Sequence, residues 1–216
     1  MMGIINACIF DLDGVVVDTA KYHYKAWKRM AKELGFDFTE EDNERLKGVS
    51  RMDSLEILLE IGKIQLTEDQ KLEYAHKKNT WYVEDVMKMT PDEILPGVLN
   101  FFNELRSAGI KIALGSASKN AVPILERLNI IDKFDVIIDG TKTKKAKPDP
   151  EVFLLGAEGL KINPANCVVF EDAEAGVEAA LNAGMYCIGI GSPNILGKAH
   201  KVMPGLNNMT IEQLDF

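Results

Sequence analysis

The sequence predicts an α/β protein with a Rossmann-like parallel sheet core, helices on both faces of the sheet, and a small α-helical cap inserted after strand 1. Three observations lead to this prediction. Short apolar runs recur along the chain, helical periodicities lie between them, and one long segment near the start carries helical patterns alone. Strands that alternate with helices are typical of a parallel sheet covered on both faces.

The predicted strands are short apolar runs that end in polar or glycine-containing segments. They lie at residues 7–10, 111–115, 135–139, 167–171 and 186–190. Helices are predicted where apolar residues recur at spacings of three and four. The core helices of this kind fall at 98–105, 122–128 and 174–183. Because the two kinds of segment alternate, we expect successive strands to run parallel.

Residues 18–90 break this alternation and contain helical patterns only. One predicted helix ends at Gly35, a second begins at Ser50, and a third begins at the capping box that Thr67 opens. We therefore expect an insertion of two to four helices. The predicted domains are a discontinuous α/β core at 1–16 and 91–216 and a helical cap at 17–90, with hinges near 15–18 and 88–96.

Composition excludes several classes of function. The 216 residues carry a formal charge of −8, so the chain lacks the basic surface that DNA or RNA binding requires. No apolar stretch reaches the roughly 20 residues of a membrane span, and the start of the chain lacks the basic region of a signal peptide. We expect a cytoplasmic monomer that binds neither nucleic acid nor membranes. Buried thiols, without a disulfide or zinc site, are expected for Cys8, Cys167 and Cys187.

Two pairs of carboxylates follow two predicted strands. Asp11 and Asp13 come after the first strand, and their i, i+2 spacing in extended chain directs both side chains the same way. Glu171 and Asp172 form the second pair. Each pair alone fits a turn signal or a favourable charge at a helix N-terminus. Because ligands bind at the carboxyl ends of parallel strands, the two pairs together predict a site for one Mg²⁺.

Ser116 and Lys147 supply the complementary groups. The segment from Ser116 to Asn120 is expected to end a strand and open a helix, where backbone N–H groups and the Ser116 hydroxyl hold phosphate oxygens; the alternative is an ordinary helix N-cap. Lys147 lies in a lysine-rich run but is set apart by Pro148, which fixes the local backbone. Solvent exposure is expected for the other lysines of the run, which are Lys142, Lys144 and Lys145.

The motifs FDLDG, SAS, KPDPE and FEDAEAG, in this order, resemble those of the haloacid dehalogenase superfamily. Each motif alone is a weak signal, but the four in order form a strong one. The resemblance implies that Asp11 is a nucleophile that forms a covalent aspartyl-phosphate and that Asp13 is the general acid/base. It also implies that Ser116 and Lys147 neutralise the transferring phosphoryl group, and that the Lys147–Pro148 peptide bond is cis.

The metal site implied by this resemblance holds one Mg²⁺ per chain. Two positions depart from the usual pattern, because Ala173 and Ala146 stand where serine is common. Neither departure removes a catalytic group, but both put metal affinity and the order of the phosphate loop in question. The implied metal ligands are Asp11, the main-chain carbonyl of Asp13, Glu171 and Asp172.

Four further segments, DTAKYHYKAW, LKGVSRMDSL, HKKN and GSASKN, are similar to those of sugar-phosphate mutases within the superfamily. This likeness implies interconversion of β-D-glucose 1-phosphate and glucose 6-phosphate, with β-glucose 1,6-bisphosphate as primer and intermediate. Arg51 suits the non-transferring phosphate because its planar fork matches phosphate oxygens. The implied substrate-binding residues are Thr19, His23, Trp27, Lys47, Gly48, Val49, Ser50, Arg51, Lys78, Asn79, Ser116, Ala117, Ser118 and Asn120.

Structural alternatives stay open for several of these residues. Arg51 also fits a surface helix, and His23 a helix-surface histidine that bonds a neighbour. Lys78 and Asn79 fit an exposed helix face, and Trp27 fits the core of the cap.

Other functions also stay open. The nearest is a sugar-phosphate phosphatase on the same scaffold, in which water accepts the phosphoryl group. A non-enzymatic phosphoacceptor module fits less well, because such modules lack a helical cap after the first strand. A catalytically silent sugar-phosphate sensor is disfavoured by the presence of both Asp11 and Asp13.

Overall fold

The structure, a computed structural model, describes residues 5–216 and is built on one six-stranded parallel sheet. Residues 1–4, which begin the predicted core segment 1–16, lie outside the described residues. The strands are β1 (Ala7–Phe10), β2 (Lys111–Gly115), β3 (Val136–Ile138), β4 (Cys167–Glu171), β5 (Tyr186–Ile190) and β6 (Lys201–Met203). Their order in the sheet is β3-β2-β1-β4-β5-β6, so β1 lies in the middle.

Strand β1 is buried on both of its faces. Phe10 lies opposite Phe170 of β4 in a parallel register, and their rings stack with centroids 4.5 Å apart. Cys8 and Phe10 belong to the hydrophobic cluster on one face of the sheet, and Ala7 and Ile9 belong to the cluster on the other. Alternation of side chains along a strand produces this division. A continuous apolar run is therefore what this central strand requires.

Helices cover both faces of the sheet, which confirms the predicted fold class. The inserted segment contains α1 (Ala20–Glu33), α2 (Glu40–Glu44), α3 (Arg51–Gly62) and α4 (Glu68–Val86). The later helices are α5 (Val98–Ser107), α6 (Ala121–Arg127), α7 (Glu151–Leu160), α8 (Glu174–Asn182) and α9 (Pro193–Leu196). Helices α5 and α6 pack on the face that contains Phe10, and α7 and α8 pack on the opposite face.

Local capping explains where the cap helices begin. The Ser50 side chain accepts a hydrogen bond from Asp53 N at the start of α3. Thr67 and Gln70 form the predicted capping box at the start of α4. A further capping box begins α2. These side chains satisfy backbone N–H groups that have no partner within the helix.

The inserted helices have a hydrophobic cluster of their own. Trp27, Met30, Leu55 and Leu58 are among its buried members. Tyr82, near the end of α4, instead belongs to the cluster of the sheet face. The cap thus combines an internal core with a contact to the sheet domain. The domain boundaries at 16/17 and 90/91 stay a prediction.

The two connections between cap and core run side by side. Asp18 N donates to Glu93 O at 2.8 Å, and Leu95 N donates to Val16 O at 3.0 Å. Val17 forms a bridge with Ile94 in the same place. The segments that we predicted as hinges are therefore adjacent, although hinge motion itself stays a prediction.

Two features of the described residues bear on the predictions from composition. Across residues 5–216, no helix is both long and apolar enough to cross a membrane. The three cysteines are free thiols and buried, as predicted.

The structure adds elements to the core that the sequence analysis did not predict, among them the short helix α9. Helix α7 follows the KPDP segment, and strand β6 forms the far edge of the sheet beside β5. The run at 135–139 contains a strand of three residues, Val136–Ile138, which is shorter than predicted.

Candidate active site

Three carboxylates meet where β1 and β4 end. Asp11 follows β1 directly, and Glu171 is the last residue of the adjacent β4. Oxygen atoms of Asp11, Glu171 and Asp172 all lie within 4.8 Å of one another. Burial raises the pKa of Glu171 to about 7, with Asp11 adding to the rise and Lys147 opposing it. Burial and the charges of Glu171 and Asp11 also raise the pKa of Asp172.

This cluster lies between β1 and β4. On one side of β1 the chain adds β2 and β3, and on the other side it adds β4, β5 and β6, so the strand order changes direction at this point. In open parallel sheets that point is where ligands bind, outside the carboxyl ends of the strands. The crowding of carboxylates there is unfavourable without a counter-ion. The topology therefore explains why two separate acidic motifs of the sequence form one site.

Lys147 provides part of the counter-charge. Its Nζ donates to Oδ1 of Asp11 at 2.6 Å and to Oε2 of Glu171 at 2.9 Å, and the side chain is buried. Burial alone lowers the pKa of Lys147, but Asp11 and Glu171 together raise it above its ordinary value. The Lys147–Pro148 peptide bond is cis, as predicted.

The donor set fits Mg²⁺. Three carboxylates face two ammonium groups, that of Lys147 and that of Lys47, whose Nζ lies 4.0 Å from Oδ2 of Asp172, so the cluster keeps an excess of one negative charge when all three carboxylates are ionised. Carboxylate oxygens are the ligands that this hard cation prefers. The predicted contribution of Asp13 is its main-chain carbonyl, and that role stays a prediction.

The Asp13 side chain has partners outside the carboxylate cluster. The Thr19 hydroxyl donates to its Oδ1, and Nε2 of His23 lies 3.8 Å from the same oxygen. The main-chain N–H of Asp13 donates to Oδ2 of Asp11 at 2.9 Å. Burial raises the pKa of Asp13 to about 6; the charge of Asp11 adds to the rise, and the Thr19 hydrogen bond opposes it. A carboxyl group with this pKa is suited to exchange protons near neutral pH.

The turn that follows Asp11 and Asp13 requires glycine at position 14. The φ of Gly14 is +83°, and a Cβ at this position would lie 2.2 Å from Oδ2 of Asp172. Glycine therefore satisfies both the backbone conformation and the close approach of Asp172 to the chain after Asp13.

As predicted, the segment from Ser116 to Asn120 joins the end of a strand to the start of a helix, and Ser116 itself is not the helix N-cap that we considered as the alternative. Strand β2 ends at Gly115, and α6 begins five residues after Ser116, with Asn120 in the N-cap position. The Ser116 hydroxyl accepts from Ser118 N at 3.0 Å, and Ser118 Oγ accepts from Asn120 N at 3.2 Å. This short-range bonding forms a tight polar loop between β2 and α6.

The cap side of the site centres on a buried lysine. Nζ of Lys78 lies 3.0 Å from Nδ1 of His23, 4.4 Å from the Trp27 ring centroid and 4.9 Å from the Tyr82 ring centroid. Burial, together with the charge of Arg51, lowers the pKa of Lys78 to about 7. The exposed helix face that we considered for Lys78 is therefore wrong, because the side chain is buried.

A cavity of about 490 Å³ lies between the cap and the core. Most of the predicted site residues line it. Three of them, Thr19, Ser116 and Glu171, are buried but do not line it. The predicted residues that line the cavity are Asp11, Asp13, His23, Trp27, Lys47, Gly48, Val49, Ser50, Arg51, Lys78, Asn79, Ala117, Ser118, Asn120, Lys147 and Asp172.

Other residues line the same cavity without having been predicted. Lys119 lies between two selected positions of the SASKN motif, so the motif itself was a sufficient signal. Asn43 and Tyr82 carried no comparable pattern in the sequence. Lys144 and Lys145 are exposed, as predicted, and they also line the cavity.

The cap closes directly over the core. Asn120 Nδ2 of the core donates to Asn79 Oδ1 of the cap at 3.0 Å. Gly48 has a φ of +72°, and a Cβ there would lie 2.8 Å from Cβ of Ala173. Glycine at position 48 thus permits the approach of the cap loop to the segment that follows the second acidic pair.

Comparisons with known proteins agree with this geometry. The β-phosphoglucomutase of Bacillus subtilis strain 168 is 44% identical over 212 residues, which cover 97% of this chain and 94% of that protein. A phosphorylated carbohydrates phosphatase of Thermotoga maritima is 35% identical, over 84% of this chain and 82% of that protein. The crystal structure of β-phosphoglucomutase from Clostridium difficile has a TM-score of 0.93 and 45% identity, and the match covers 98% of this chain and 96% of that one.

The family is set by a match over most of the chain. A sequence model of haloacid dehalogenase-like hydrolases matches residues 5–184. That span contains both acidic pairs, Ser116, Lys147 and the whole inserted cap. The chain therefore belongs to the haloacid dehalogenase-like hydrolase family.

Proposed function

We propose that this protein interconverts β-D-glucose 1-phosphate and glucose 6-phosphate through a phosphorylated Asp11 and β-glucose 1,6-bisphosphate. The observation that carries the proposal is the enclosed cavity with Asp11 on its core side and Arg51 on its cap side. A mutase must hold one phosphate at the nucleophile and a second phosphate elsewhere. The 44% identity to a β-phosphoglucomutase over 97% of this chain supports the same reaction.

The nucleophile is held by two neighbours. Lys147 donates to Oδ1 of Asp11, and the main-chain N–H of Asp13 donates to Oδ2. Lys147 and the polar Ser116–Asn120 loop are placed to offset charge on the transferring phosphoryl oxygens. We propose that Asp11 carries a phosphoryl group at the start of each cycle.

Proton transfer is proposed for Asp13. As the 6-hydroxyl of β-glucose 1-phosphate attacks phosphorus, the bond from phosphorus to the Asp11 oxygen breaks and Asp13 accepts the hydroxyl proton. In the second half of the cycle, an Asp11 oxygen attacks the 1-phosphate of the reoriented bisphosphate. Asp13 then returns the proton to the departing sugar oxygen, which releases glucose 6-phosphate.

The proposed metal is one Mg²⁺ per chain, held by Asp11, Glu171 and Asp172 with the main-chain carbonyl of Asp13. The ion would neutralise charge on the phosphoryl oxygens and on the crowded carboxylates. The excess negative charge of the cluster supports this assignment.

Substrate recognition is proposed for residues of both domains. Arg51 would bind the phosphate that is not being transferred, and Lys78 and Asn79 would contact the sugar from the cap. His23 and Thr19 would couple closure of the cap to the position of Asp13. We propose that the protein is a cytoplasmic monomer.

Phosphorus NMR tests the proposed reaction. With β-glucose 1-phosphate, Mg²⁺ and a trace of β-glucose 1,6-bisphosphate, we expect glucose 6-phosphate to appear without an equal amount of inorganic phosphate. The Asp11→Asn variant is the control, and we expect it to give no turnover while it remains folded. Release of one inorganic phosphate for each substrate consumed would instead establish the phosphatase alternative.

A further inference from the structure

Charge is distributed unevenly between the cavity and the rest of the molecule. The chain has a formal charge of −8, yet basic side chains outnumber acidic ones along the cavity. Two of the basic residues, Lys144 and Lys145, are solvent-exposed and lie in the loop between β3 and α7. A concave surface of one sign raises the local concentration of ligands of the opposite sign.

The backbone of this loop is fixed beneath the two lysines. The main-chain N–H groups of Lys144 and Lys145 each donate to Oε2 of Glu151 at 2.7 Å. Nearer β3, the side chain of Asp139 accepts from Thr141 N at 3.0 Å. Since Glu151 begins α7, the loop is anchored to a core helix and the two lysines keep their place beside the cavity.

The lysines of the run differ in their partners. Nζ of Lys145 lies 3.1 Å from Oδ2 of Asp149, whereas Nζ of Lys144 has no carboxylate within 4.0 Å among residues 5–216. Nζ of Lys142 donates to Ile137 O at 2.6 Å, and Lys142 does not line the cavity. Lys144 therefore presents an uncompensated charge, Lys145 presents a partly compensated one, and Lys142 provides a matched control outside the cavity.

We propose that Lys144, assisted by Lys145, forms a cationic rim that draws phosphorylated ligands into the cavity and favours a bisphosphate over a monophosphate. The preference for a bisphosphate rests on the proposed function, in which the protein must bind a bisphosphate in the presence of competing monophosphate substrates. Each phosphate monoester carries about two negative charges above pH 7. A bisphosphate therefore feels twice the attraction of a monophosphate toward the same lysine.

The size of the effect follows from Coulomb's law in water. A single charge about 10 Å from a dianion, with little salt screening, changes the association rate about two- to threefold. For a tetra-anion the same charge changes it about four- to ninefold, because the interaction energy doubles and the rate factor is therefore squared. At about 0.5 M salt the screening length falls to a few Å, so both effects should vanish.

Stopped-flow tryptophan fluorescence measures association directly, because Trp27 lines the cavity. The single variants Lys144→Gln, Lys145→Gln and Lys142→Gln each remove one charge. At low salt we expect the association rate of β-glucose 1,6-bisphosphate to fall most for Lys144→Gln, less for Lys145→Gln and least for Lys142→Gln. Glucose 6-phosphate should show the same order with smaller factors, and all the differences should disappear at high salt.

Association of inorganic phosphate and of pyrophosphate tests the rim independently of the proposed function, because neither ligand requires mutase turnover. A salt-dependent loss that is larger for pyrophosphate would support the rim even if no mutase turnover were found. Losses that persist at high salt would overturn the rim, since they would indicate direct contact or loop disruption. Equal losses of association rate for Lys144→Gln and Lys142→Gln would overturn it too, since a lysine that lines the cavity would then have no larger effect than one outside it.

Discussion

The Asp13 carboxylate contacts two cap residues, Thr19 and His23. The Thr19 hydroxyl donates to Oδ1 of Asp13, and Nε2 of His23 lies 3.8 Å from the same atom. Burial raises the pKa of Asp13 to about 6, close to the range in which a general acid/base operates well. The proposed role therefore belongs to the side chain, whereas the proposed metal contact belongs to the main chain.

Asp13→Asn should accordingly keep Mg²⁺ binding and lose proton transfer. We expect transfer from phosphorylated Asp11 to glucose 1-phosphate to slow about 10²- to 10⁴-fold, because an amide cannot accept the hydroxyl proton. Calorimetry of Mg²⁺ binding and single-turnover kinetics measure the two properties separately. If Asp13 only shaped the turn before Gly14, asparagine would serve equally well and the transfer rate would not change.

Lys147 gives a second prediction, on stability. Lys147→Met leaves the carboxylates of Asp11 and Glu171 buried without their ammonium partner, which should lower the free energy of unfolding by about 3–5 kcal/mol. Mg²⁺ should restore more stability to this variant than to the parent protein, because the carboxylate cluster has become more negative. Thermal unfolding with Mg²⁺ and with a chelator measures both effects.

Lys145→Met is the control for this prediction, since that lysine is exposed. We expect it to change stability little and to leave the response to Mg²⁺ unaltered. An equal Mg²⁺ response in Lys147→Met and in the parent protein would mean that Lys147 does not share its carboxylates with the metal.

Single residues of the site were predictable to different degrees. Asp11 and Glu171 stand at the ends of apolar strands that are adjacent in the sheet, so sheet topology brings them together. Lys147 lies in the loop between β3 and α7, and its place in the site was expected from the motif resemblance. Lys78 stands in a helix whose sequence does not reveal which neighbours will cover it. Its burial depends on the Trp27 and Tyr82 rings, which belong to two different helices.

Among whole elements, α7 and β6 were missed for different physical reasons. Helix α7 starts directly after Pro150 and contains Gly156 and Gly159, so the usual signals of a turn obscured its helical repeat. Strand β6 has only three residues at the edge of the sheet, and its pattern is weak without its partner β5. Elements with longer apolar repeats, such as α5, were recognised from sequence because periodicity determined them.

The packing of α1 against α4 predicts a pH-dependent stability. Lys78 is buried between these helices, and burial together with Arg51 lowers its pKa to about 7, against about 10.4 for an exposed lysine. Below pH 7 the folded protein must bury a charged lysine, whereas above about pH 10 the group is neutral in both states. The contribution of Lys78 to the free energy of unfolding therefore rises between pH 7 and pH 10.

Lys78→Met should reveal this contribution as a difference from the parent protein. We expect the variant to gain stability relative to the parent at pH 6 and to lose that gain as pH rises to 10. The slope should be at most about 1.4 kcal/mol per pH unit. Urea unfolding at several pH values measures it, and Lys77→Met on the exposed side of α4 is the control. A gain that is constant with pH would show that Lys78 is not charged differently in the folded state.

For the whole molecule, the alternation of apolar runs with helical periodicities predicted the sheet, the helical-only segment predicted the cap, and the strand ends predicted the placement of both acidic pairs. The depth of the cavity was not predictable, because it depends on how closely the cap approaches the core. That approach rests on pairs far apart in sequence, such as Asn79 with Asn120 and Gly48 with Ala173. Ala173 at the usual serine position meets Gly48 across the closed cavity, a contact that sequence patterns do not encode.

In the closed cavity, the positive charge of Arg51 is not paired with a carboxylate of residues 5–216. Arg51 begins α3 and lines the cavity, and its guanidinium has no carboxylate within 4.0 Å in the described part of the chain. Burial lowers the pKa of Arg51, because desolvation disfavours its charged form. The proposed phosphate that is not being transferred is an anion of suitable shape for its planar fork.

Arg51→Ala should therefore separate the mutase reaction from simple phosphoryl transfer. We expect kcat/KM for β-glucose 1-phosphate to fall about 10- to 100-fold, which corresponds to about 1.5–3 kcal/mol for hydrogen bonds to a charged group. Hydrolysis of acetyl phosphate, which has no second phosphate, should change little. Arg45→Ala is the matched control, because Arg45 is an exposed cap arginine paired with Glu60 outside the cavity. Equal losses in both assays for Arg51→Ala would mean that this arginine supports the cap and does not bind the distal phosphate.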